Sequence, residues 1–533
     1  MQEIKQEPKA NQSGFVAIYA LSMALGTLLS RVLGLVRDQL FAALFSPTVR
    51  DAWTAAFRLP NMFRRILGEG SLSVNFIPVF VETQVLDNTG ESAKNLVNSF
   101  YTLLLIVLSV LTTFGILFPE FFLNLILDAK FSEIPGKFEM AARMTRIMFG
   151  FIFFMSTYAY FMGILNALGR FGLPAMAPVF FNVSMIISNF FPQEHLSMPG
   201  DAIAWGVVVG GFLQTAILIP ALKKAGYLPK LSRKIFEPKV LMILKNMVPG
   251  MLGLGLLQIT TIVNMRFASS LGEGPITYIY LADRLLELPL SLVSVSLGTA
   301  LLPTLSDLWA RKDVEKFKQT VHYYFGLNLY IAIPAALGLF MLSAPMVDLL
   351  FQRGQFSSAD ALQTALVVKV YAFILLSSSC VRVLVPSFYA IKNTWVPAAV
   401  SGVSLIVHII IAPILMKEYG LGGLVSSSFL SGLVNLTLLI FFFRRQIGQF
   451  QIFSLVRRVL KYSLAAMGLA AVLYFYPPNL FGVNIIAQVL NLTSVILIAA
   501  VIYFMISHFL KLEEYQQSSQ LIIGKLKRKF LKK

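Results

Sequence analysis

Three apolar stretches of this chain contain charged side chains, where burial would make an ionised group costly. The stretches are GTLLSRVLGLVRDQLFAALF, DAWTAAFRLPNMFRRILGEGSLSVNFIP and YIYLADRLLELPLSLVSVSLGTALLP. An ionised residue inside a membrane-spanning helix costs about 2.5–3.5 kcal/mol, so each one is a candidate for a functional site. The candidates are the arginines Arg31, Arg37, Arg58, Arg64, Arg65 and Arg284 and the acids Asp38, Asp51, Glu69, Asp283 and Glu287.

The arginines in these stretches predict an anionic ligand. A guanidinium group is planar and can bind two phosphate or carboxylate oxygens at once, whereas a lysine ammonium is a point charge. Helical spacing places Arg31 and Asp38 on one helix face, and Asp51 and Arg58 on another. Salt bridges that fix helix register are the alternative interpretation of the acids. For the arginines we favour binding of a phosphate or carboxylate head group.

The rest of the chain is apolar. Of 533 residues, 57% are hydrophobic and 13% charged, and the mean hydropathy is +0.74. Soluble proteins contain about 45–50% apolar and 25% charged residues. A membrane span needs about 20 apolar residues, so the sequence predicts an all-α polytopic membrane protein with about 14 transmembrane helices. The predicted spans are 15–45, 51–87, 95–119, 139–168, 174–192, 201–222, 240–269, 275–305, 320–344, 362–391, 395–416, 421–443, 455–476 and 483–510.

Basic residues predict the orientation of these spans, since lysine and arginine are retained on the cytoplasmic side. Most basic loop residues fall in segments that share a side with both termini. The opposite loops contain Arg50, Lys130, Lys137, Arg353 and Lys417. We therefore expect a cytoplasmic N-terminus (1–14) and a basic cytoplasmic tail (511–533) at the anionic inner leaflet.

Short matches between the two halves predict an internal repeat. SLSVNFIP (71–78) resembles SLGTALLP (296–303), and ALGRFGLPA (167–175) resembles AIKNTWVPA (390–398) at a similar offset. We expect two six-helix bundles related by a pseudo-two-fold axis along the membrane normal, with the substrate site between them. The expected divisions are an N-terminal bundle (15–222), a basic cytoplasmic loop (223–239), a C-terminal bundle (240–443) and two extra helices (455–510).

Two local patterns predict how the first two spans are built. Ser22, Gly26, Ser30 and Gly34 form a ladder of small residues that allows close approach of another helix. In the second span, Pro60 and the GEG triplet at 68–70 predict a broken helix, a usual feature near transporter sites.

Several function classes are excluded by what the sequence lacks. Its single cysteine, Cys380, allows no internal disulfide, and its four histidines form no HExxH motif. It contains no GxxxxGK[ST] phosphate-binding loop. A soluble enzyme, a nucleic-acid binder and an ATPase are therefore excluded. We expect no catalytic residues and no cofactor.

The motifs of spans one, two and eight are similar to those of the MurJ (MviN) lipid II flippase family. SRVLGLVRDQLFAALF and FRLPNMFRRILGEG resemble its N-terminal signature, and YLADRLLELPLSLVSVSLGTALLPTLS resembles its eighth span. This family belongs to the multidrug/oligosaccharidyl-lipid/polysaccharide exporter superfamily. The resemblance extends over essentially the whole chain.

The resemblance implies a flippase that moves lipid II across the bacterial cytoplasmic membrane by alternating access in peptidoglycan synthesis. Lipid II is an undecaprenyl-diphosphate-linked disaccharide-pentapeptide. Family arginines of the central cavity correspond to Arg31, Arg37, Arg64, Arg65 and Arg284, while Arg58 fills a slot that is often basic. The helices at 455–510 would form a groove for the polyprenyl tail. Membrane lipids are further expected partners, and proteins of cell-wall synthesis or division are candidates.

This chain departs from the family in one respect. Some members bind sodium through an acid in span seven and polar groups in span eleven. The matching stretches here, TTIVNMRFAS and SGVSLIVHIII, offer Asn264, Ser404 and His408 and no carboxylate. We therefore expect no metal site, with Asn264 the nearest sodium candidate, and membrane potential as the driving force.

Three other functions are weighed against this one. A flippase for another polyprenyl-diphosphate-linked oligosaccharide, of O-antigen or capsule type, would also need a cationic cavity. A drug antiporter would need acidic residues for cationic drugs. A membrane scaffold without transport would leave the arginines inside the spans without a purpose.

Overall fold

A computed structural model describes residues 10–66, 72–87, 89–192, 195–291, 296–449, 451–477, 480, 482, 484–517 and 519–520. These residues form eighteen α-helices and a short 3-10 helix, Ala129–Glu133. They divide into two compact units. The first contains the chain up to Ile276 together with Gly354–Phe356, and the second contains Thr277–Arg353 and the chain from Ser357 onward.

The first unit contains eleven of the helices. They are α1 (Ala10–Leu44), α2 (Pro47–Arg64), α3 (Ser73–Leu86), α4 (Glu91–Leu117), α5 (Pro119–Ile126), α6 (Lys137–Met148), α7 (Gly150–Ala167), α8 (Gly172–Asn189), α9 (Asp201–Ala216), α10 (Ile219–Ala225) and α11 (Pro238–Ser269). By its contacts, α11 belongs to the first unit.

The second unit contains the remaining helices. They are α12 (Pro275–Leu290, whose first two residues belong to the first unit), α13 (Ser296–Ala310), α14 (Val314–Phe351), α15 (Ser358–Ala390), α16 (Trp395–Gln446), α17 (Ile452–Phe475) and α18 (Ile485–Phe509).

Within the described part of the chain, nine helical segments are long and apolar enough to cross a membrane. They are Glu91–Leu117, Lys137–Ala167, Gly172–Asn189, Asp201–Ala225, Val314–Phe351, Ser358–Ala390, Trp395–Gln446, Phe453–Phe475 and Ile485–Phe509. The prediction of an all-helical polytopic membrane fold is confirmed. These segments match predicted spans three to six and nine to fourteen.

One of these segments, α16, contains two predicted spans. It is 52 residues long because two helices meet at Gly420, where φ is 52° and ψ is −124°. Residues with a Cβ rarely adopt this backbone conformation, whereas glycine does so readily. The helices on either side of Gly420 correspond to the predicted spans 395–416 and 421–443.

The four other predicted spans are also helical. They correspond to α1, to α2 with α3, to α11, and to α12 with α13. The candidate charged residues other than Glu69 lie on these helices or, for Arg65, directly after α2. In span two, α2 ends at Arg64 and α3 begins at Ser73. Glu69 and the glycines beside it lie outside the described residues.

Aromatic side chains pack α2 into the core of the first unit. The rings of Trp53 and Phe57 stack with centroids 4.9 Å apart, and Phe57 contacts Phe151 of α7 at 5.8 Å. Trp53 also lies 4.7 Å from Phe41 of α1. Large buried aromatic rings contribute strongly to core stability, so this stack fixes the helix that carries Asp51.

In the second unit, α17 and α18 pack against α14 through tyrosines. Tyr330 of α14 contacts Tyr462 of α17 and Tyr503 of α18, with ring centroids 5.6 and 5.3 Å away. The Tyr503 hydroxyl also donates to the Tyr330 carbonyl at 2.6 Å. The opposite face of α17 exposes Leu460 and Leu464.

Candidate functional site

Arg37 and Asp38 form a buried ion pair on α1. Nε and Nη2 of Arg37 donate to Oδ1 of Asp38 at 2.9 and 2.7 Å, and the two side chains are 8% and 4% exposed. Nη1 of Arg37 donates to Oδ1 of Asn182 on α8 at 3.1 Å. The ring of Phe181 lies 5.9 Å from the guanidinium carbon. A neighbour on its own helix and two residues of α8 therefore orient this cation.

Small residues allow α1 to approach α8 closely enough for these contacts. A Cβ added at Gly26 would lie 2.9 Å from the carbonyl oxygen of Ala175. Nδ2 of Asn182 donates to the carbonyl oxygen of Ser30 at 2.9 Å and to its hydroxyl at 3.2 Å. At these positions the predicted ladder is a packing surface, and it brings Asn182 to Arg37.

Asp51 of α2 forms a second buried ion pair, with Lys137 at the start of α6. Nζ of Lys137 lies 2.9 Å from Oδ2 of Asp51, and both side chains are 0% exposed. The same carboxylate oxygen accepts a hydrogen bond from the backbone N–H of Gly274 at 2.7 Å. Nζ also donates to the carbonyl oxygen of Gly272 at 3.3 Å and lies 4.6 Å from the Phe131 ring centroid. The pair therefore joins α2, α6 and the loop between α11 and α12.

Sequence reasoning missed the burial of Lys137 and of Arg50, because both were assigned to loops. The structure places Arg50 within α2, fully buried, with its guanidinium carbon 4.7 Å from the ring centroid of Phe356. Both residues lie just before a predicted span, and hydropathy alone sets such boundaries. The missed signal was that Asp51 and Lys137 carry opposite charges at the starts of predicted spans two and four, which begin on the same side of the membrane.

The other arginines of the first unit differ in exposure. Arg31 on α1 and Arg65 at the end of α2 are exposed, while Arg58 and Arg64 are half-buried. Nε of Arg64 donates to Oδ1 of Asn61 at 2.9 Å.

Arg284 of α12 belongs to the second unit. Its Nη2 donates to the Tyr280 hydroxyl at 3.1 Å, and its Nη1 lies 3.4 Å from Oε2 of Glu287. The Arg284 side chain is about one-third exposed and that of Glu287 about half exposed, while Asp283 is half-buried. The structure thus pairs Arg284 with Glu287, three residues further along the same helix.

The polar groups considered for sodium lie in helix–helix contacts. The Ser404 hydroxyl donates to the carbonyl oxygen of Ser431 at 2.6 Å, and Nδ1 of His408 lies 3.1 Å from the Ser427 hydroxyl. These bonds join the two halves of α16. Asn264 is half-buried on α11. Over the described ranges, no three His, Cys, Asp or Glu residues are grouped so that they could hold a metal ion.

Comparison with known proteins gives consistent results. The family model described as "Lipid II flippase MurJ" matches residues 40–511. A protein of Bdellovibrio bacteriovorus described as "Probable lipid II flippase MurJ" is 50% identical over 495 residues, covering 93% of this chain and 95% of its own. Among solved structures, a lipid II flippase MurJ in an inward closed conformation has a TM-score of 0.74 at 27% identity, covering 91% of this chain and 98% of its own.

A more distant solved structure shares the fold. It is a multidrug resistance MATE family transporter in an inward-facing conformation, with a TM-score of 0.65 at 16% identity, covering 82% of this chain and 99% of its own. The fold and the family match define this chain as a multi-pass membrane transporter. Within that class, the chain belongs to the lipid II flippase MurJ family.

Proposed function

We propose that this chain is a lipid II flippase of the bacterial cytoplasmic membrane, acting in peptidoglycan synthesis. The observation that carries this proposal is the match to the MurJ family over residues 40–511 together with 50% identity to a probable lipid II flippase. The substrate would be undecaprenyl-diphosphate-linked disaccharide-pentapeptide, moved from the inner to the outer leaflet.

The proposed binding group for the diphosphate is the set of arginines. Arg37 supports this role, because buried contacts on both sides fix the direction of its guanidinium fork. Such preorganisation lowers the cost of binding. A fork of this kind suits the paired oxygens of a diphosphate. The full proposed set is Arg31, Arg37, Arg58, Arg64, Arg65 and Arg284.

Acidic residues are proposed to balance these cations during the cycle. Asp38 already neutralises part of the Arg37 charge, and Glu287 lies beside Arg284. Such a carboxylate competes with a bound phosphate for the same donors and takes its place after release. The proposed gating and charge-pairing set is Asp38, Asp51, Glu69, Asp283 and Glu287.

The proposed architecture has fourteen spans with both termini in the cytoplasm. Residues 15–222 and 240–443 would form two six-helix bundles related by a pseudo-two-fold axis, which rock to give alternating access. The helices α17 and α18 would form the groove for the polyprenyl tail, and the exposed Leu460 and Leu464 support an apolar contact there. A membrane potential would act on the cationic site at about 2.3 kcal/mol per charge per 100 mV.

The test is exposure of newly made lipid II on spheroplasts depleted of their own flippase. We expect the wild-type chain to restore exposure and the Arg64→Ala/Arg65→Ala variant to restore little. The matched control is Arg444→Ala/Arg445→Ala, which removes an adjacent arginine pair at the exposed end of α16. If folded, inserted wild-type protein restores no exposure, the substrate is another one, and a different polyprenyl-linked oligosaccharide should then be tested.

A further inference from the structure

The connection between α10 and α11 is an extended segment fixed along α4. We call residues 227–237 the strap. The backbone N–H of Lys230 donates to Oδ1 of Asn98 at 2.7 Å, and the backbone N–H of Ser232 donates to the hydroxyl of Thr102 at 2.8 Å. The Ser99 hydroxyl donates to Oε1 of Glu237 at 3.1 Å. Polar side chains of a predicted span therefore hold the strap against its helix.

The start of the strap is held by α3. The ring of Tyr227 packs edge-on against Phe80 with centroids 5.3 Å apart, and its hydroxyl accepts a hydrogen bond from Nε2 of Gln84 at 3.3 Å. Just beyond the strap, Nζ of Lys239 donates to the hydroxyl of Thr83 at 3.0 Å. Both ends are therefore fixed, and the strap has a defined outer face.

That outer face combines bulky apolar and basic side chains. Leu231 is 78% and Phe236 is 65% exposed, although both are large hydrophobic residues. The basic residues Lys230, Arg233 and Lys234 are exposed between or beside them. The acidic residue of the strap, Glu237, is turned toward Ser99 of α4. The outer face is therefore cationic, with two apolar anchors.

We propose that the outer face of the strap docks on anionic phospholipids of the cytoplasmic leaflet. Interfacial segments bury aromatic and aliphatic side chains at the headgroup boundary, while lysine and arginine extend to the phosphates. Each basic residue near an anionic surface adds attraction that neutral lipid lacks. The alternation of Lys230, Leu231, Arg233, Lys234 and Phe236 meets both requirements at once.

The strap's position on α4 supports this occupant. Asn98 and Thr102 lie about 10 and 16 Å along α4 from its first residue, taking a rise of about 1.5 Å per residue. The strap therefore runs beside the first turns of a helix that is long and apolar enough to cross a membrane. In the proposed orientation, this end of α4 and the strap beside it would lie at the level of the lipid head groups. This proposal rests on the proposed orientation, in which both termini and the strap are cytoplasmic. It adds a lipid-binding site to the proposed flippase.

The test is the membrane depth of single nitroxide labels in nanodiscs. Cys380 is the only cysteine in the sequence and is buried, so a Cys380→Ala background allows single labels from Leu231→Cys and Phe236→Cys. Collision with oxygen reports exposure to lipid, and collision with a water-soluble nickel chelate reports exposure to water. The nanodiscs contain phosphatidylcholine alone, or phosphatidylcholine and phosphatidylglycerol in equal parts.

In the anionic nanodiscs we expect both labels to be open to oxygen and protected from nickel. The Lys230→Gln/Arg233→Gln/Lys234→Gln variant, or phosphatidylcholine alone, should lower the oxygen-to-nickel ratio severalfold. The matched control Arg311→Gln/Lys312→Gln/Lys316→Gln removes three basic residues from the α13–α14 connection and the first turn of α14, and it should leave the ratio unchanged. A melting temperature equal to that of the wild-type protein would confirm that each labelled variant is folded.

Three results would overturn the proposal. High nickel access in both lipid mixtures would place the strap in water and leave its charges a role in topology alone. Protection from both oxygen and nickel would mean that protein covers the strap. Lipid exposure that neither the triple variant nor the lipid charge alters would mean that anionic head groups are not recognised. None of these measurements depends on transport, so their failure is distinguishable from failure of the flippase proposal.

Discussion

Two ion pairs among the described residues of the first unit are buried, and they differ in how far apart their partners lie in the sequence. Arg37 and Asp38 are adjacent on α1, whereas Lys137 and Asp51 are 86 residues apart and join α6 to α2. The first pair is slightly exposed, and the second is wholly buried. A pair between neighbours can orient a cation, while a pair between distant helices also holds the tertiary structure. The Arg37–Asp38 pair therefore suits ligand binding, whereas the Asp51–Lys137 pair also stabilises the packing of α2 against α6.

The partners around each pair support this division. Arg37 also contacts an amide of α8, which turns the guanidinium without neutralising it. Asp51 and Lys137 bond in addition to backbone groups at Gly274 and Gly272, so their loss would release a loop. Removing one partner of a fully buried pair leaves an uncompensated charge, which is among the costlier single changes in a protein.

The largest expected effect is therefore from Lys137→Met. It should lower the free energy of unfolding by about 3–5 kcal/mol, because Asp51 stays buried and charged. Thermal unfolding of the purified protein in detergent measures this. The matched control is Glu120→Gln in the half-exposed pair of Glu120 with Arg146, where the change should stay within about 1 kcal/mol.

A double variant sharpens the same prediction. Asp51→Asn/Lys137→Met removes both charges, so it should be more stable than Lys137→Met alone. Equal destabilisation by Lys137→Met and Glu120→Gln would show that the buried pair does not hold the fold.

The next effect is from Asp38→Asn. The amide oxygen of asparagine still accepts from Arg37, and Asn182 remains in place, so we expect a loss of about 1–3 kcal/mol in the free energy of unfolding. Transport per folded molecule should also fall, because the Arg37 guanidinium loses the charge that orients it. This loss of transport should be larger than the lower amount of folded protein can explain. If Asp38→Asn lost as much stability as Lys137→Met and transported normally, the Arg37–Asp38 pair would serve the fold and not ligand binding.

A smaller effect is expected where α1 meets α8. Gly26→Ala places a methyl group against the Ala175 carbonyl, so the helices must separate, at a cost of about 1–3 kcal/mol. Gly338→Ala in α14 is the control, because nothing lies within 4 Å of the added Cβ. That control should gain about 0.5–1 kcal/mol from helix propensity. A stabilising Gly26→Ala would mean that close approach does not position Asn182.

The smallest effect concerns Asp87, a partly exposed acid in the turn between α3 and α4. The hydroxyl of Thr89, followed by the backbone N–H groups of Ser92 and Thr89, holds the pKa of Asp87 well below its usual range. Because the folded-state pKa is lowered, its stabilisation is complete above the unfolded value of about 3.9 and is lost as pH falls below it. Hydrogen exchange at the start of α4 should be faster in Asp87→Asn at pH 7.

The same difference should persist at pH 5 and shrink only below about pH 4. A difference that already disappears between pH 7 and pH 5 would contradict the lowered pKa. In contrast to these two buried pairs, Asp87 lies partly exposed in a turn, so its effect should stay local to the first turn of α4.

Much of the fold could be predicted from hydropathy and spacing, because apolar spans, and pairs of residues a few positions apart, depend only on residues that are near one another in the sequence. Arg284 and Glu287 could be paired from an interval of three, and the ladder through Gly26 could be read as packing. Lys137 could not be assigned to Asp51, since partners 86 residues apart meet only after the helices pack. For the same reason, Asn98 and Thr102 gave no sign that they hold the strap.

The family resemblance supplied what spacing could not. Charge pattern alone predicted an anionic ligand, and several phosphate-bearing or carboxylate-bearing head groups satisfy that prediction. The motifs around Arg31, Arg64 and Arg284 narrowed it to one family, which the match over residues 40–511 confirmed. The roles of individual arginines remain predictions, since many residue sets can carry the same net charge.

The most direct test of the central claim is lipid II exposure per folded molecule for Arg37→Gln, measured in flippase-depleted spheroplasts. Arg146→Gln is the control, because Arg146 is also paired with an acid but is half exposed. We expect Arg37→Gln to be inserted and folded yet to restore little lipid II exposure, while Arg146→Gln should restore it fully. Full exposure with Arg37→Gln would contradict the claim that this buried guanidinium binds the diphosphate.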